Sequence, residues 1–156
     1  NYSPAEKLAL ATAKNETYRS LLANLRPEDV APSVIVTLKW LKAERIFAAI
    51  GSSSKNTKTI LDRIGLLKAF DVIVDGNDIS NSKPDPEVFL KAAARLGLKP
   101  SACIVVEDAY AGIEAAKRGG FTAVGIGDAS KDKEADYHIE DLSGLIAVVR
   151  SLNHLS

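Results

Sequence analysis

Two hydrophobic spacings alternate along this chain. Short unbroken apolar runs predict strands over 45–50, 70–74, 102–106 and 121–126, with a weaker one over 137–139. Between them, apolar residues recur every third or fourth position and predict helices over 33–43, 55–64, 86–96, 109–118 and 142–149. Val34, Leu38 and Leu41 fall on one side of the first of these. Glycines punctuate the pattern: Gly65, Gly97 and the pair Gly119-Gly120 each follow a helix, where glycine closes the last turn. Asp85 and Pro86 stand where a cap and a first helical position belong.

The first 24 residues read as one more helix. Ser3 caps it, Pro4 fits its first turn and Glu6 completes a Ser-x-x-Glu capping box. Leu8, Ala11, Tyr18, Leu22 and Leu25 gather near one face. A linker containing Arg26-Pro27-Glu28-Asp29 follows. Strands alternating with helices imply an α/β fold, a parallel sheet covered by helices on both faces and joined by right-handed crossovers. Ligands of such sheets bind beyond the carboxyl ends of the strands.

Composition narrows the function classes. Apolar residues make up 46% of 156, enough for one globular core. Twenty basic residues balance 20 acidic ones. That balance argues against a nucleic-acid partner or an anionic membrane surface. No apolar stretch approaches the roughly 20 residues of a membrane span, and the N-terminus lacks a signal-peptide layout. The expected compartment is the cytoplasm. Cys103 is the only cysteine, so no internal disulfide forms. It reads as a buried strand residue rather than a nucleophile. His138 and His154 lie far from the motifs and receive no role.

Three strand ends carry chemistry. The first runs into Gly51-Ser52-Ser53-Ser54-Lys55-Asn56. Small residues, hydroxyls, a lysine and a following helix N-terminus together suit a phosphate. The same serines would equally serve as turn and cap residues. The second leads to Ser82-Lys83-Pro84-Asp85-Pro86, where two prolines stiffen the loop around Lys83. The third ends in Glu107-Asp108. Adjacent carboxylates repel each other, and a hard cation such as Mg²⁺ relieves the repulsion; alternatively, Asp108 is a helix cap. Each signal alone has an ordinary explanation. All three in succession point to one phosphate site.

This order of motifs resembles the haloacid dehalogenase superfamily, over residues 13–127. Ser52 matches its second motif, Lys83 its third and Glu107-Asp108 its Mg²⁺-holding fourth. Gly51-Ser52-Ser53-Ser54-Lys55-Asn56 is similar to the phosphate loop of the β-phosphoglucomutases within that superfamily. Lys14-Asn15-Glu16-Thr17-Tyr18 is similar to their substrate-contacting cap stretch. The resemblance implies a Rossmannoid core and interconversion of β-glucose 1-phosphate and glucose 6-phosphate through an aspartyl-phosphate enzyme. It makes Ser52 and Lys83 catalytic. Lys14, Ser52, Ser53, Ser54, Lys55, Asn56 and Lys83 bind the sugar phosphate, and Glu107 and Asp108 the Mg²⁺. Tyr18 and Tyr110 either line the site or pack.

The family's first motif, Asp-x-Asp-Gly after an N-terminal strand, supplies the nucleophile. No Asp-x-Asp occurs before Ser52, and Asp75-Gly76-Asn77-Asp78 has the wrong order and place. The resemblance therefore implies residues 1–26 as part of a helical cap and 27–156 as a core without its first strand. In the family that strand lies mid-sheet, so strands beside it would lack a partner and the isolated chain is expected to fold poorly. The complete protein is expected to be a monomer. Two alternatives stand: a sugar-phosphate phosphatase on the same scaffold, and a non-catalytic fragment that binds phosphate or Mg²⁺.

Overall fold

The computed structural model describes residues 24–154. The expected N-terminal helix, with Lys14 and Tyr18, lies outside them. The linker holds a short 3-10 turn, Pro27–Asp29, closed by the Arg26 N–H donating to the Asp29 carboxylate at 2.8 Å. Five helices follow: α1 (Pro32–Ala43), α2 (Thr57–Arg63), α3 (Glu87–Leu96), α4 (Tyr110–Arg118) and α5 (Gly144–His154). They alternate with strands β1 (Ala49–Gly51), β2 (Val72–Val74), β3 (Ile104–Glu107), β4 (Thr122–Gly125) and β5 (Tyr137–His138).

Every expected strand and helix from Pro32 onward is present, with shifted ends. The first strand shortens from 45–50 to 49–51 because Arg45 turns to a positive φ of 58° and Ile46 N–H donates back to Leu41 O at 2.9 Å. That 6→1 bond closes the α1 terminus and consumes residues the hydrophobic run offered to the strand. Gly97, at φ 71°, closes α3 in the same way, with Leu98 N–H on Ala93 O. Asp85 does assist α3, its carboxylate accepting the Glu87 N–H at 2.9 Å, but the helix starts one residue later than expected.

All strand pairs are parallel. Among the described residues they form two sheets rather than one, β1-β2 and β3-β4-β5. β1 and β3 each pair on one side only among the described residues. One core nevertheless runs beneath both sheets: Val74 and Val88 pack in the same cluster as Val105, Ile113 and Ala123. On the opposite face Val124, Leu145 and Val148 gather Trp40, Ile104 and Val106. Val105 and Val106 thus serve opposite faces, the two-residue period of a strand. Helices cover both faces, and the carboxyl ends of β1, β2 and β3 are left to carry the loops.

Candidate functional site

Lys83 is the meeting point of the two sheets. The Lys83-Pro84 bond is cis. The Lys83 ammonium donates to Gly51 O, at the end of β1, at 3.2 Å, and forms an ion pair with the Glu107 carboxylate at the end of β3. The Lys83 side chain is 17% exposed and Glu107 9%, so the pair is largely shielded from water. The other Glu107 oxygen accepts the Ala109 N–H at 3.3 Å. Gly112 of α4 makes room for this carboxylate: a Cβ there would sit 2.0 Å from Glu107 Cδ.

The loop carrying Lys83 is tied down by Glu87. Its carboxylate accepts the Ser80 and Asn81 N–H groups, both at 2.8 Å, and pairs with Lys91 at 3.0 Å. The Ser80 N–H first, then Lys91 and the Asn81 N–H, hold the Glu87 carboxyl down at about 2 from its ordinary 4.5. The sequence reading missed this latch; a glutamate following the polar Ser80-Asn81 turn was its one visible trace.

The serine loop is folded on itself. Ser52 Oγ accepts the Ser54 N–H and Ser54 Oγ the Asn56 N–H, each at 3.1 Å, while Thr57 Oγ1 donates to Ser54 O at 2.8 Å. The turn reading of these serines is therefore realised, and both accepting hydroxyls keep an O–H to donate. Ser53 differs: its buried Oγ has no partner among the described residues. An orphaned buried hydroxyl is costly, and a water or a ligand atom would satisfy it. Lys55 is exposed, and Asn56 is buried at the start of α2. With seven residues, α2 is short.

Asp108 is not a cap. The residue before α4 is Ala109, no side chain caps the helix, and Asp108 is exposed. It borders a cavity of about 680 Å³ lined by Asp108, Ala109, Tyr110, Gly127, Asp128 and Lys131. Tyr110 is 56% exposed at its rim. A smaller cleft of about 300 Å³ beside the Lys117–Asp136 ion pair lies at the other ends of the strands and gathers none of the motif residues. The Asp75 to Asp78 turn is closed: Asp75 accepts the Asn77 N–H and Asp78 the Asp75 N–H, each at 2.9 Å. The Asp75 N–H first, then Arg95, hold the Asp78 carboxyl low. Cys103 is half-buried just before β3 rather than buried within it, its Sγ donating to Lys99 O at 3.4 Å. Burial pushes its thiol up, away from a reactive thiolate.

Among the described residues no three His, Cys, Asp or Glu side chains converge as a metal set. The exposed Asp108 carboxylate still fits Mg²⁺, which is commonly bound through one or two carboxylates plus waters and substrate phosphate.

Parallel strands covered by helices on both faces, with serine loop, largely buried lysine and acidic pair at successive strand ends, match what known proteins show. The model of the haloacid dehalogenase-like hydrolases matches residues 2–120, and the chain belongs to that family. It is 41% identical to the β-phosphoglucomutase of Bacillus subtilis over 92% of this chain and 64% of that protein. It is 35% identical to the fructose-1-phosphate phosphatase of Escherichia coli over 81% and 66%. A crystal structure of β-phosphoglucomutase from Clostridium difficile superposes with TM-score 0.88 at 32% identity, covering 99% of this chain and 70% of that one. The chain spans just under two thirds of the length of the two curated relatives.

Proposed function

We propose that these residues hold the phosphoryl group of a sugar phosphate during Mg²⁺-dependent transfer, and that the protein interconverts β-glucose 1-phosphate and glucose 6-phosphate. The observation that carries this is Lys83, held between Gly51 O and Glu107 at the joint of the two sheets. A lysine ammonium has three hydrogens. Two are engaged there, and the third is available to a phosphoryl oxygen. Ser52 donates from its free O–H, and Ser53 gains a partner for its orphaned one. Asp108, exposed and without a side-chain partner among the described residues, and Glu107 would hold Mg²⁺, Glu107 while also paired with Lys83. The metal supplies charge neutralisation on the transferring phosphoryl group. Everything else is positioning and electrostatics, the usual substance of phosphoryl-transfer catalysis.

In the family's reaction a carboxylate takes the phosphoryl group from one sugar oxygen and returns it to another. Among the described residues, Asp75 and Asp78 do not answer to that carboxylate, because each is engaged in its own turn. The proposal assigns residues 27–156 to the phosphate-holding core and 1–26, with Lys14, to a cap over it. The similarity to a fructose-1-phosphate phosphatase favours a second reading, in which water rather than a sugar hydroxyl accepts the phosphoryl group.

Coupled assays on protein expressed from its complete gene separate the two. With β-glucose 1-phosphate and Mg²⁺, the mutase reading expects glucose 6-phosphate without stoichiometric phosphate release. Phosphate release without glucose 6-phosphate establishes the phosphatase instead. Turnover of neither kind leaves only a binding module.

A further inference from the structure

We infer that Phe89 is a positioning residue for Lys83, its ring serving as the floor on which the ammonium stands. The inference rests on the reading of Lys83 as a phosphate-binding group. Phe89 lies in the first turn of α3 and is 7% exposed. The Lys83 ammonium sits 4.7 Å from the centre of its ring. The negative face of an aromatic ring attracts a cation, more strongly where water is scarce. With Lys83 17% exposed, this cation is in such surroundings.

The ring is itself held in place. Phe121 meets it edge to face, with centroids 6.1 Å apart and planes at 68°, a favoured aromatic geometry. Gly51, at the end of β1, leaves the space the ring occupies: a Cβ there would lie 2.8 Å from Phe89 Cδ1. The same glycine offers the carbonyl that Lys83 bonds. One backbone position therefore both admits the ring and fixes the ammonium above it. Gly51 O and Glu107 constrain the ammonium through its hydrogens. The ring face attracts the charge as a whole and leaves the third N–H to a phosphoryl oxygen. A leucine would fill much of the same volume and offer no such face.

The test replaces Phe89, in the full chain, by phenylalanines bearing one, two and three ring fluorines. Fluorine drains the negative ring face with little change of shape. Nitrogen-15 NMR follows solvent exchange of the Lys83 ammonium protons, and thermal unfolding follows packing. Exchange is expected to quicken with each fluorine, by roughly two- to fivefold across the series, at a nearly constant unfolding midpoint. Exchange that stays flat across the series overturns the inference and leaves Phe89 a core residue. Phe89→Leu is a second check, expected to quicken exchange at least as much as three fluorines; native exchange in that variant also overturns it. If the leucine variant does not fold, the fluorine series still decides. These readouts use no phosphate. A failed titration of the unsubstituted protein, expressed from its complete gene, with inorganic phosphate would instead sink the phosphate reading alone.

Discussion

Glu107 ends β3 with a lysine ammonium on one carboxylate oxygen and a backbone N–H on the other. Neither the ion pair nor the space for it is visible locally in the sequence. Lys83 is 24 residues away, and Gly112 matters only because α4 folds back over the carboxylate. What was legible was residue type and order: a lysine between prolines, then an acidic pair after an apolar strand. The fold gives Glu107 and Asp108 different surroundings, one buried against Lys83 and one exposed, which two adjacent letters do not distinguish. Removing one partner of a buried pair leaves the other charge uncompensated. Lys83→Met is therefore expected to lower stability by about 1–3 kcal/mol. Adding Glu107→Gln should restore part of that loss in urea unfolding. Losses that simply add would mean the pair is not coupled.

At the scale of elements, hydrophobic spacing located strands and helices, while their ends were decided by contacts it does not encode. Arg45 in a left-handed turn shortened β1, and α5 runs on to His154, beyond the Val149 where the apolar pattern fades. The latch on the Lys83 loop belongs to this scale. Glu87 titrates at about 2 in the folded protein against an ordinary 4.5. A depressed carboxyl stabilises the fold fully above its unfolded value and loses that contribution as pH falls toward the folded one. Stability is expected to drop on acidification from about pH 5 toward pH 2, with Asp78 and Asp141 contributing in the same direction. Asp136 adds to them: burial opposes its ionisation, but the Ala123 N–H and Lys117 prevail. Urea midpoints measured across that range should fall less steeply for Glu87→Gln than for the unsubstituted protein. Parallel curves would show that the latch carries none of the dependence.

At the scale of the molecule, the parallel α/β architecture was legible because alternating strand and helix patterns leave few topologies open. The division into two sheets follows the expectation that strands beside the family's mid-sheet strand lack a partner; which strands those are, β1 and β3, was a property of the assembled chain. β1 and β3 stay connected through α3, the common core and Lys83 rather than through backbone ladders. Among the described residues Lys83 is the joint between them.

The account stands on that joint holding phosphate, and calorimetric titration with inorganic phosphate, with and without Mg²⁺, tests this most directly. The unsubstituted protein, expressed from its complete gene, should bind phosphate in the presence of Mg²⁺ and lose most of that binding without it. Ser52→Ala should weaken binding by roughly 1.5–3 kcal/mol, the value of a hydrogen bond to a charged group. Asp108→Ala should abolish the Mg²⁺ effect while the protein stays folded. Phosphate binding that is absent, or identical in all three proteins and indifferent to Mg²⁺, would contradict the account.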